Sequence, residues 1–99
     1  MDIKKYMKQK TGINLPISGG DGQSKDNPVK INSDYKHMLI EVENDFISLW
    51  LDEGQWKKEE QSLLMLENEK KIDKINIHFI DANGISYKKV FWFDITDCF

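Results

Sequence analysis

The residue pattern predicts an α+β fold in which one or two helices pack across a twisted antiparallel sheet of three or four strands. Three observations carry that expectation. A short helical repeat opens the chain at 2–11, a longer one runs through 33–53, and beyond Gly54 the apolar side chains alternate along the chain instead.

In the first segment Ile3, Tyr6, Met7 and Lys10 recur at helical spacing. Asp2 favours the positive end of a helix and the lysines its negative end, and Gly12 stands where a left-handed residue commonly ends one. After Ile13-Asn14-Leu15-Pro16-Ile17, residues 18–28 hold three glycines, a proline and no apolar side chain, which predicts a loop. Val29-Lys30-Ile31-Asn32 then reads as a short strand, with Pro28 just before it, as an edge strand tolerates.

The stretch 33–53 supports two readings. Tyr35, Leu39, Val42, Phe46, Leu49 and Trp50 keep a spacing of three to four, while Met38, Ile40 and Val42 also alternate. The helix is favoured because its spacing persists after the alternation stops, Ser33 or Asp34 can cap its start, and Gly54 can end it. A hairpin turning at Asn44-Asp45 is the alternative. Next come a strand from Trp56 to Leu66, a polar run at 67–71, and a strand carrying Ile72, Ile75, Ile77 and Phe79. Asn83-Gly84 predicts a hairpin into the last strand, Ile85 to Thr96. There Phe91, Phe93 and Ile95 point one way and Trp92, Asp94 and Thr96 the other, so Ile77, Phe79, Phe91 and Phe93 are expected in the core and Trp92 on the outer face.

Ninety-nine residues, 39% of them hydrophobic, suffice for one core, so a single domain spanning 1–99 is expected, with 18–28 as its Gly-rich loop. No apolar run approaches the roughly 20 residues that span a bilayer. The lysines near the N-terminus precede no apolar stretch of a secretory signal, and a cytoplasmic location is expected. Cys98 is the single cysteine, so no internal disulfide can form, and His37 and His78 show no metal-ligand spacing. No cofactor is expected. All 14 basic residues are lysine, a bias typical of AT-rich bacterial or phage genomes, and the net charge is −3. Without arginine the chain lacks the planar fork that grips phosphate or guanine, and nucleic-acid binding is disfavoured.

No catalytic motif is legible, and the chain is expected not to be an enzyme. Gly19-Gly20-Asp21-Gly22-Gln23-Ser24-Lys25 has the composition of a phosphate cradle, but Asp26-Asn27-Pro28 follows where a P-loop would open a helix. A connector or partner-contacting loop is the plainer reading. Asp21, Asp26 and Asn27 lack the rhythm and closing glutamate of a calcium loop. Asp94 and Asp97 fall on opposite sides of a strand, which makes a poor acid–base pair.

An acidic stretch remains. Glu41, Glu43, Asp45, Asp52 and Glu53, joined by Asp34, are balanced locally by Lys36 alone. Such a run is usually a solvated face, but it can also steer a basic partner. Trp50, Trp56 and Trp92 belong to a residue type enriched in binding hot spots, although core packing is the default for at least two of them. The candidate partner-binding set is therefore Glu41, Glu43, Asp45, Asp52, Glu53 and Trp92.

Gly19-Gly20-Asp21-Gly22-Gln23-Ser24, Asn27-Pro28-Val29-Lys30-Ile31, Trp56 and Gln61, Ile72-Asp73-Lys74-Ile75, and the terminal Phe93-Asp94-Ile95-Thr96 with Phe99 together resemble a group of small uncharacterised bacterial proteins. These have a Gly-rich loop and a C-terminal Phe-Asp-Ile-Thr strand. The resemblance implies no catalytic residue. Two function classes follow. One is a non-catalytic protein-binding domain with a protein partner, basic in the charge-steered version and most sharply a toxin-neutralising immunity-type protein. The other is a small-molecule-binding or enzymatic α+β domain with a pocket between helix and sheet.

Overall fold

A computed structural model describes residues 2–51 and 54–98. The first helix, α1 (Ile3–Thr11), starts at Asp2, whose carboxylate accepts from the Lys5 amide at 3.2 Å. It ends at Gly12, where φ is 78° and the amide donates to the Lys8 carbonyl at 2.7 Å. Its buried residues, Ile3 and Met7, share one face at the spacing read from the sequence.

Strands β1 (Ile17–Gly19) and β2 (Val29–Ile31) form a short antiparallel hairpin with Ile17 opposite Ile31. A 3-10 turn, Ser33–Met38, then leads into α2 (Leu39–Leu51), which resolves the 33–53 ambiguity in favour of helix. The cap of the 3-10 turn is Asn32 rather than Ser33 or Asp34: its side chain accepts from the Asp34 amide at 3.0 Å. The remaining strands are β3 (Gln55–Met65), β4 (Lys71–Ile80) and β5 (Ser86–Asp94).

The sheet has five strands in the order β1-β2-β5-β4-β3, and it is mixed, because β2 runs parallel to β5. This corrects the expected antiparallel sheet of three or four strands. The physical reason is twofold: β1 is only three residues long and too short to show alternation. The parallel contact sets Val29 beside Phe93, a pairing between distant segments that no local pattern encodes. Strand β2 is therefore interior rather than at an edge. Pro28 is tolerated because it precedes the strand and contributes only its carbonyl, which accepts from the Gly20 amide at 2.8 Å.

The hairpin between β4 and β5 falls where Asn83-Gly84 placed it, in a loop spanning 81–85. The Asp81 carboxylate organises that loop, accepting from the amides of Asn83 and Ile85 at 2.9 Å each. The final strand is shorter than expected at its end, because Thr96 begins a 3-10 turn. There the Asp94 carboxylate accepts from the Thr96 amide at 3.0 Å and from its hydroxyl at 2.6 Å.

Both helices cover one face of the sheet. The Phe46 ring of α2 meets Phe93 and Phe91 edge-on, with centroids 5.7 and 6.3 Å apart. Ile77, Phe91 and Phe93 are fully buried there, while Phe79, near the hairpin end, is partly buried against the same core. Alternation turns Trp92, Lys74, Asn76 and His78 to the other face. Trp92 is half-buried on that face, beneath the Lys74 ammonium at 5.2 Å from its ring centroid.

Candidate functional site

Glu43 projects from α2 on the same side as Phe46 and Ile47, three and four residues further on, and it is fully buried. Asp73, on the helix-facing side of β4 between Leu63 of β3 and Phe93 of β5, is buried as well. Gln61 of β3 donates through Nε2 to Asp73 Oδ2 at 2.6 Å, and the Lys58 ammonium donates to Gln61 Oε1 at 3.2 Å. Neither carboxyl oxygen of Glu43 has a hydrogen-bond donor. Burial, reinforced by hydrogen bonding to and the charge of Asp73 and only partly offset by Lys58, pushes the Glu43 carboxyl up to about 10. At neutral pH Glu43 is therefore a neutral acid beside Asp73.

These groups line a cleft of about 310 Å³ whose apolar walls are Leu39, Ile40, Leu63 and Ile95. Ile40 is 57% exposed and Leu63 49%, and Met65, at the end of the same strand, is 63% exposed. Strand β3 is an edge of the sheet, so its outer backbone groups face away from β4. The arrangement is an open, apolar-rimmed cleft over a buried acidic floor. A comparable cleft of about 360 Å³ lies among Glu59, Glu60, Lys88 and Lys89, but exposed charges of both signs mark its rim. No buried polar group without a partner, among the described residues, lines that second cleft.

The residues picked out as a partner-binding set are dispersed. Glu41 and Asp45 are exposed on α2, as a solvated or steering face requires, whereas Glu43 is turned into the protein. Trp92 lies on the opposite face of the sheet from α2, so the structure does not join it to the acidic helix. Asp52 and Glu53 fall outside the described residues. Sequence reading passed over Asp73, Gln61, Ile40 and Leu63 as members of a site. The available signals were the spacing of Glu43 from Phe46 and Ile47, and the alternation of Asp73 with Ile75 and Ile77.

Of the other tryptophans, Trp50 stacks on Phe46 with centroids 5.7 Å apart, and Trp56 donates from its indole to Ser48 Oγ at 2.9 Å. Both act in packing α2. The Gly-rich loop is held by its own amides: Gly22 donates to the Asn27 carbonyl at 2.9 Å, Asn27 to Ser24 at 3.2 Å, and Gln23 to the Asp21 carboxylate at 3.0 Å. Those amides are engaged internally, which leaves them poorly disposed to cradle an anion. The Gly22 carbonyl in turn accepts from the Trp92 amide at 2.9 Å, extending the sheet edge of β5 beyond the short β2.

His78 hydrogen-bonds Ser86 across the hairpin, a contact their separation in sequence hid. In register beside His78 stand Lys57 and Lys88, and among the described residues no carboxylate hydrogen-bonds the ring to orient it as a base. Asp97 pairs with Lys30 at 3.1 Å on the surface, whereas Asp94 is buried and bonded to Thr96. Among the described residues no cluster of three His, Cys, Asp or Glu could hold a metal ion, and no helix is long and apolar enough to cross a membrane.

No protein-family model, curated protein or solved structure matches the chain.

Proposed function

We propose that this chain is a non-catalytic protein-binding domain that docks its partner on the open end of the helix–sheet seam, around Ile40 and Leu63. The observation that carries the reading is the exposure of these two apolar side chains on either side of a cleft floored by buried carboxyls. Exposed apolar surface is costly in water and marks contact sites when it clusters. A shallow, open cleft cannot bury most of a small ligand, as small-molecule sites do, but it suits a projecting side chain from a larger surface. Glu41 and Asp45, exposed on the same helix as Ile40, would add negative charge near the contact and favour a basic partner. The sharpest version is a toxin-neutralising immunity-type protein whose acidic surface covers a basic target. The small-molecule alternative draws on one feature, the convergence of Glu43, Asp73 and Gln61 on a single cleft.

The test is co-purification from the native host with the wild-type chain and with an Ile40→Asp/Leu63→Asp variant, circular dichroism establishing that both are folded. Loss of the captured protein in the variant is the expected result. Equal capture by both removes this end of the seam as the docking surface.

A further inference from the structure

Resting on that docking reading, we infer that the cleft over Glu43 and Asp73 receives one arginine side chain of the partner, its guanidinium seated between the two carboxyls and its alkyl stem along Leu39, Ile40 and Leu63.

An ionised carboxylate offers about four acceptor positions. Asp73 accepts from Gln61 and from the Glu43 acid, while no donor reaches either oxygen of Glu43 although it is fully buried. Buried acceptor oxygens left without a donor cost the protein stability, so their retention at the floor of an open cleft points to a donor that arrives from outside. Among the described residues the chain supplies no such donor. It contains no arginine, and the lysine nearest in the network, Lys58, directs its ammonium to Gln61 Oε1 rather than to the carboxyls.

Guanidinium fits the vacancy for three reasons. Its five donors lie in one plane and bridge paired carboxylates, and it is less strongly hydrated than an ammonium, so it enters a half-dry cleft at lower cost. Its three-carbon stem needs an apolar wall, which Leu39, Ile40 and Leu63 provide. A cation at this position also changes the proton balance of the site. The charged groups acting on Glu43 are Asp73 from β4 and Lys58 from β3, while Leu39, Ile40, Gln61 and Ile95 bring no charge. An entering guanidinium favours the ionised form of Glu43, so the acid proton leaves to solvent as the cation binds.

The test uses the full chain and blocked arginine, Nα-acetyl-arginine N-methylamide, as probe, followed by the side-chain carboxyl carbon resonances of Glu43 and Asp73 at pH 7. Saturable movement of both resonances is expected, with Glu43 passing from its acid to its carboxylate position. Calorimetry in two buffers of different ionisation enthalpy should show proton release accompanying binding. Glu43→Gln, which keeps the shape and the fold, should weaken the probe by at least about tenfold, the loss of one charge-assisted contact. The blocked norleucine analogue should move neither resonance. Absence of a saturable shift, equal binding by Glu43→Gln, or movement of the same resonances by magnesium or calcium chloride but not by the arginine probe would each overturn the inference. If Glu43→Gln still captures the partner while Ile40→Asp/Leu63→Asp does not, the docking surface stands and the arginine seat falls.

Discussion

Glu43 makes the stability of this domain pH-dependent in a direction opposite to that of a salt-bridged acid. Its carboxyl is raised from an ordinary value near 4.5 to about 10, so between those limits the folded chain holds a proton that the unfolded chain has released. Stability is then fully present below pH 4.5 and falls as pH rises toward 10. Glu43→Gln removes the dependence while preserving the side-chain shape. The variant should match the wild type near pH 4.5, exceed it at pH 8, and show a flatter slope between, as read by urea unfolding at several pH values. Parallel slopes for the two proteins would show that Glu43 does not hold a proton in the folded state. Part of this was legible in advance: three- and four-residue spacing to Phe46 and Ile47 aims Glu43 inward, yet the surrounding Glu41, Asp45, Asp52 and Glu53 gave it the look of one more surface acid. Its neighbour Asp73 comes from a distant strand, and only folding brings the pair together.

At the scale of elements, the Gly-rich loop does structural work that its composition concealed. Gly22 sits at a φ of 76°, and a Cβ there would lie 2.8 Å from a Val29 methyl and 3.2 Å from the Trp92 carbonyl. Gly84, in the β4–β5 turn, has a similar φ of 80° but open space around it. Alanine at either position carries the left-handed penalty of about 1–2 kcal/mol, and at Gly22 an overpacking cost of about 1–3 kcal/mol adds to it. Gly22→Ala should therefore lower the melting temperature clearly more than Gly84→Ala in the same scan. Equal losses would mean that the loop lifts away from the sheet and its contact with Trp92 is dispensable. Elements with local signals were readable: α1 from its cap and closing Gly12, α2 from its persistent spacing, and the last hairpin from Asn83-Gly84. Strand β1 and the parallel β2–β5 pairing were not, because three residues carry no period and a contact between residues 29 and 93 leaves no local trace.

For the whole molecule, the decisive feature is that the acidic helix and Trp92 occupy opposite sides of one sheet. A partner seated on the helix–sheet seam approaches α2, which carries the exposed Glu41 and Asp45, and lies across the sheet from Trp92, whose ring is already sheltered by Lys74. Rim charges act chiefly through the rate of encounter, and their effect is screened within about 10 Å at 0.1 M salt. Glu41→Lys/Asp45→Lys should therefore slow association several-fold, flatten its dependence on salt and leave dissociation nearly unchanged. Trp92→Ala should leave both rates at wild-type values once circular dichroism shows the fold intact, since loss of a desolvated anchor is felt in dissociation only where the anchor is buried by the partner. Surface plasmon resonance with the partner captured from the host measures both. Faster dissociation of Trp92→Ala, with the charge-reversed helix binding normally, would move the interface to the outer face of the sheet, where Trp92 and Lys74 would then be its centre.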